Sequence, residues 1–140
     1  MRSLLAILLV AACSPRTDPE SNAIQWDDGD SGNINGVRFR LADVDAPESR
    51  AITSAIGPAK CEAERLAGKK AKQFMIDLTS SGPLKFEWNG EVDRYGRKVG
   101  DVSVSRISVT MAGLRTGHLR PWEHDGSRQV EPKPDWCTSG

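Results

Sequence analysis

Apolar and charged positions alternate from Val37 onward, with Val37, Phe39 and Leu41 separated by Arg38 and Arg40, and this period of two predicts a half-buried strand running to Val44. Just before it, Asn35-Gly36 lies between Ile34 and Val37. That pair suits the left-handed backbone of a two-residue hairpin turn, so another strand should precede it. Ala46-Pro47 stops the ladder, because proline has no amide hydrogen to donate. Residues 48 to 60 show neither strand nor helix period and read as a loop.

From Glu62 to about Ser80 the period changes. Ala63, Ala67, Ala71, Phe74, Met75 and Leu78 fall on one helical face, with Lys69, Lys70 and Lys72 mostly outside it, which predicts a packing helix with a solvated basic side. Gly68 within it costs about 1 kcal/mol of helix propensity relative to alanine and marks an expected close approach to a sheet. Gly82-Pro83 ends the helix. Leu84, Phe86 and Trp88 then alternate with Lys85 and Glu87 to predict a strand, and Val99 to Val104 predicts the next. Ser108 can cap a short helix through Thr116, with Met111 and Leu114 facing inward and Gly117 after its end. Strands, helix, strands and short helix in that order suit an α+β, mainly β fold, a small Greek-key barrel with the helices outside it. The tail from Pro121, which includes Pro132 and Pro134, is expected to run extended along the surface and to be pinned at Cys137.

The first residues have a different character. Arg2 followed by the apolar run Leu4 to Val10 is too short to span a bilayer and reads as a signal peptide over residues 1–12. Val10-Ala11-Ala12-Cys13 has the small residues before cysteine that mark a lipoprotein precursor, so Cys13 is expected to carry lipid. Residues 13–22 read as a flexible tether and 23–140 as one domain. The expected location is a bacterial cell envelope, the outer membrane or periplasm of a Gram-negative cell given Ser14 after the cysteine, or the medium if the signal is simply cleaved. With Cys13 set aside, Cys61 and Cys137 form an even pair in a chain bound for an oxidising space, and a disulfide is the default reading, worth roughly 4 kcal/mol in the chain-entropy account. A zinc site built from both cysteines with His118 and His124 competes with it, but neither pair has the close spacing of zinc ligands.

Formal net charge is zero. That excludes a protein that coats nucleic acid through a broad basic surface, and any such contact must be local. Three short segments concentrate polar residues beyond what a plain barrel needs: Asp28-Gly29-Asp30, Arg40 through Asp45-Ala46-Pro47-Glu48, and Asp93-Arg94-Tyr95-Gly96-Arg97. Each alone could be a turn or a strand exit.

In this order, over about residues 24 to 122, they resemble the staphylococcal nuclease (thermonuclease) family. The resemblance implies its five-stranded OB-fold barrel and a calcium-dependent endonuclease that hydrolyses phosphodiester bonds of DNA or RNA, single-stranded for preference, as a monomer. It implies that Asp30 and Asp45 hold Ca²⁺ with the backbone carbonyl of Ala46, oxygen ligands that suit a hard cation. It implies that Glu48 orients or deprotonates the attacking water and that Arg40 and Arg97 grip the scissile phosphate. Arg94 and Tyr95 stand where the family contacts nucleotide, and Trp122 could offer a face to a base. A phosphodiester repels nucleophiles, and charge gathers on its oxygens as water attacks, so a metal ion and two forked cations stabilise that state selectively. The chain departs from the family pattern at Ser31 and Ala46, where threonine is usual, in a shorter hairpin at Asn35-Gly36, and in the missing long C-terminal helix, whose anchoring a Cys61 to Cys137 bridge could replace. Related domains that have lost the acidic and arginine residues act as noncatalytic nucleic-acid or protein binding modules, and a structural envelope lipoprotein is a third reading. Strict alternation would put Arg40 and Asp45 on opposite strand faces, so their convergence needs a bulge or corner that only the resemblance supplies.

Overall fold

The computed structural model describes residues 23–124 and 130–138. The expected lipidation site Cys13, the signal peptide and the whole of the tether lie outside them. Strands β1 (Ile24–Trp26), β2 (Ser31–Ile34) and β3 (Val37–Leu41) form an antiparallel meander, and the turn between the last two places Asn35 at φ 50° and Gly36 at φ 83°, the left-handed pair that the sequence calls for. A two-residue β4 (Val44–Asp45) leads into the loop, and helix α1 (Glu62–Thr79) follows. The hairpin of β5 (Leu84–Val92) and β6 (Lys98–Val104) comes next, then β7 (Ile107–Ser108), helix α2 (Val109–Thr116) and β8 (Arg120–Pro121).

The main sheet runs β1-β2-β3-β6-β5, with β7 also on β6, while β4 and β8 pair separately. β3 and β6 are parallel, and Arg40 sits opposite Val99. Among the described residues this ladder does not close on itself. The sheet is mostly β, with both helices packed on it, consistent with the α+β architecture expected for an OB-fold of this family.

Phe39 and Leu41 point into the core together with Val102 and Val104, where Met75 of α1, Val109 of α2 and Leu119 cover them. Trp26 meets Phe39 edge-on at 5.2 Å, and its indole N–H donates to Thr79 Oγ1 at 3.1 Å, tying the first strand to the end of α1. The other side chains of β3, Arg38 and Arg40, rise from the opposite face.

Several expectations need correction. The strand from Val37 does not reach Val44: it ends at Leu41, and Ala42-Asp43 turns a corner with Asp43 at φ 54°. An aspartate tolerates that region, and distant partners hold it there, since Trp122 N donates to Asp43 O at 2.9 Å and His124 N to its Oδ1 at 3.2 Å. Met111 is half exposed, and Val109 and Gly113 take the inward positions of α2 instead. This follows because Gly113 lets Leu119 and Met75 come within 3 Å of where a Cβ would stand. On α1 the buried face passes through Glu64, Gly68, Ala71, Met75 and Thr79, leaving Ala63 in solvent. Gly68 does approach closely, but to the loop at Pro47-Glu48 and not to a sheet.

Candidate active site

The corner at Ala42-Asp43 brings the acidic residues together. Past it the chain runs back toward the turn before β2, where Leu41 N donates to Asp30 O at 2.8 Å and Ala46 N donates to Asp30 Oδ2 at 3.0 Å. Asp30 and Asp45 are both buried, at 5% and 2% exposure. Gly29 is required here by space: a Cβ on it would stand 2.9 Å from the Cβ atoms of both Ala46 and Ala71, so only glycine lets the Asp28-Gly29-Asp30 turn wedge between the strand exit and α1. Asp28 braces that turn by accepting from Ser31 Oγ at 2.8 Å.

Burial pushes the Asp30 carboxyl well above the usual carboxylate range, Asp28 adds to the rise, and the nearby Arg40 opposes it. Burial likewise raises Asp45, against the hydrogen bond from Trp136 and the charges of Lys133 and Arg40. Two buried carboxylates whose charge is only partly offset are suited to a hard cation, and Asp30, Asp45 and the carbonyl of Ala46 form an oxygen-only donor set. Among the described residues no three acidic, histidine or cysteine side chains converge as a metal cluster.

Glu48 is positioned by a residue that the periodicity reading passed over. Glu64, in the first turn of α1, is buried, and its carboxylate accepts from Lys60 N at 2.7 Å and from Glu48 N at 3.3 Å. Gly68, one turn further on, allows the Pro47-Glu48 backbone to lie directly on the helix. The Glu48 side chain receives Lys133 Nζ at 2.8 Å.

Arg40 is held by the same corner. Its Nη2 donates to Val44 O at 2.9 Å, its Nη1 lies 3.6 Å from Asp30 Oδ2, and its guanidinium stands over the Trp122 ring at 5.4 Å. Arg97 comes from the turn before β6. Its Nε donates to Asp93 Oδ2 at 2.7 Å, and Asp93 Oδ1 also accepts from the backbone of Tyr95 and Arg97. Burial alone would raise Asp93, but these bonds outweigh it and lower its pKa, so the carboxylate stays charged and fixes the arginine. The parallel register pairs Arg40 with Val99, and Arg38 Nη1 donates to Tyr95 O at 3.3 Å, so the turn that carries Arg97 lies beside β3.

Tyr95 is exposed, with Arg94 and Arg97 over its ring at 4.8 and 5.3 Å, so it stands free at the rim. Trp122, expected to offer a face to a base, is instead buried under Arg40, and its indole donates to Glu131 O at 2.9 Å. The zinc alternative is excluded: Cys61 and Cys137 are joined in a disulfide, with Cα atoms 6.0 Å apart, while His118 packs on Phe74 at 4.5 Å and His124 meets Trp122 edge-on at 4.8 Å. The tail does not merely lie along the surface. Trp136 is buried, and its indole donates to Asp45 Oδ2 at 2.8 Å.

A mainly β sheet with two packed helices is the α+β architecture of an OB-fold domain, and its strand exits carry Asp30, Arg40 and Asp45. The chain belongs to the Staphylococcal nuclease homologue family, whose profile matches residues 38–131. Over 101 residues it is 33% identical to a protein of Shigella flexneri named Micrococcal nuclease, an alignment that takes in 69% of this chain and 49% of that protein. The chain thus spans about half the length of that relative. Asp30 falls before the matched residues, and its place in the site rests on the bond from Ala46 N.

Proposed function

We propose that this protein is an extracytoplasmic, calcium-dependent endonuclease that hydrolyses phosphodiester bonds of single-stranded DNA and RNA, held to the cell envelope by lipid on Cys13. The observation that carries the reading is the corner that sets buried Asp30 against Ala46 N and Arg40 and brings Asp45 and Glu48 to one lysine, Lys133. Arg40 and Arg97 present forked donors to the phosphate and favour the state in which its oxygens gather charge. Glu48, backed by Glu64 and the surface of α1, accepts a proton from the attacking water or orients it in line with the departing 5′ oxygen, leaving 3′-phosphate ends. Asp30, Asp45 and Ala46 would hold Ca²⁺, which when bound supplies charge to the phosphoryl oxygens and lowers the pKa of water. Arg94 and Tyr95 at the rim suit contact with an unstacked nucleotide.

The test is incubation of the purified protein with single-stranded DNA and RNA, with calcium and with a chelator. Cleavage that requires calcium and leaves 3′-phosphate ends is expected. Intact binding without cleavage at saturating calcium would replace the enzyme with a noncatalytic binding module. For the location, intact-mass measurement of membrane-extracted protein should find an acylated Cys13, and soluble release with cleavage elsewhere would refute the anchor.

A further inference from the structure

The two acids facing the corner receive their side-chain donors from one short stretch. Lys133 Nζ donates to Glu48 Oε1 at 2.8 Å and lies 3.5 Å from Asp45 Oδ1, while Trp136 Nε1 donates to Asp45 Oδ2 at 2.8 Å. This stretch is clamped from two sides. The Arg120 guanidinium covers the Trp136 ring at 4.1 Å and donates to Asp135 O, and Cys137 is bonded to Cys61. Cys61 is the N-cap of α1, so the disulfide ties the stretch to the same helix end whose Glu64 holds Glu48.

The charges explain why a lysine belongs there. Arg40 faces Asp30, leaving Asp45 and Glu48 in need of a second cation, and Lys133 supplies a compact ammonium on a flexible four-carbon stem. The Lys133 side chain is 28% exposed, whereas Trp136 is 9% exposed as a residue. The tryptophan anchors and the lysine can swing away. We propose that residues 130–138 form a tethered strap whose Lys133 ammonium sits between Asp45 and Glu48, so that a divalent cation that takes Asp45 as a ligand must displace it. The Cys61–Cys137 disulfide sets how firmly the strap holds. This rests on the reading of Asp45 as a cation ligand, and it makes cation affinity a competition between two positive occupants for the Asp45 carboxylate.

Terbium(III) luminescence, excited through the neighbouring tryptophans and competed with calcium, measures the affinity of the full chain without reference to turnover. Lys133→Met removes the charge, keeps the bulk and adds no oxygen. It should bind terbium and calcium roughly tenfold more tightly than the wild type, about 1.4 kcal/mol. Cys61→Ser with Cys137→Ser keeps a capping oxygen on α1 and the lysine charge but frees the strap, and should give a smaller gain, as should wild type treated with dithiothreitol. Circular dichroism at the assay temperature establishes that each variant is folded, and the reduced wild type serves if a variant is not. Equal affinity in wild type and Lys133→Met overturns the competition. A gain in Lys133→Met with none in the untethered or reduced protein overturns the role of the disulfide. A wild type and variants that bind no terbium or calcium overturn the cation reading of the site itself, and the strap with it.

Discussion

Gly68→Ala tests whether α1 positions the active-site loop by direct backbone contact. In an ordinary helix interior this change stabilises by about 1 kcal/mol, because alanine loses less chain entropy. Here the added Cβ would stand 2.5 Å from both C and O of Glu48 and 2.6 Å from O of Pro47, and these are backbone atoms that cannot rotate aside. Overpacking of that kind costs about 1 to 3 kcal/mol, so the net effect should be a destabilisation of up to about 2 kcal/mol. For a domain near this size that is a fall in Tm of up to roughly 12 °C. The functional loss should be larger in proportion, since moving Glu48 by about 1 Å can cost on the order of 10² in rate. Thermal unfolding by circular dichroism and single-turnover cleavage of a fluorescent oligonucleotide measure the two effects. A raised Tm with an unchanged rate would mean that only helix propensity matters at this position, and would refute the contact.

Glu64→Ala leaves the amides of Lys60 and Glu48 without their acceptor, at about 1 to 3 kcal/mol for each that water does not reach, and should lower both Tm and rate. Its rate being unchanged would disconnect Glu64 from the positioning of Glu48. Because the folded pKa of Asp93 is depressed, its contribution to stability should be fully present above the unfolded value of about 3.9 and be lost as pH falls through the folded value. The Tm difference between wild type and Asp93→Asn should therefore be constant above about pH 6 and shrink in acid, and a difference that grows on acidification would reverse the assignment. Asp30→Ala should weaken calcium binding as well as turnover, whereas Glu48→Gln should spare calcium titration more than it spares rate. Identical calcium affinities in wild type and Asp30→Ala would remove Asp30 from the cation site.

Local signals in the sequence carried much of this architecture. Asn35-Gly36 makes its turn through the left-handed backbone these two residues favour, with Asn33 Oδ1 accepting from Gly36 N, and Ser108 caps α2 by accepting from Met111 N, with Gly117 closing it at φ 75°. The long helix was legible to within a residue because its period extends over five turns. What was not legible depends on partners far along the chain. Asp43 turns a corner only because Trp122 and His124 donate to it, and Glu64 is an inward-facing acid because two loop amides seek it. Lys133 and Trp136, separated from Asp45 by some ninety residues, had no periodic or motif signal, and only the disulfide expected at Cys137 hinted that the tail was fixed. The three polar motifs named the candidate site residues, but the parallel pairing of β3 with β6, a contact between distant segments, is what brings the Asp93 to Arg97 turn beside β3, where Arg38 donates to Tyr95 O.

The central claim is that the two arginines act on charge that develops at a phosphate, and Arg97→Lys measures this most directly. Lysine keeps the positive charge but loses the fork and the Nε bond to Asp93. Single-turnover cleavage of single-stranded DNA at saturating calcium, with substrate affinity measured in parallel, should show a rate lower by about 10² or more with affinity changed little. Equal loss of affinity and rate, or a wild type that binds but does not cleave, would contradict the catalytic account.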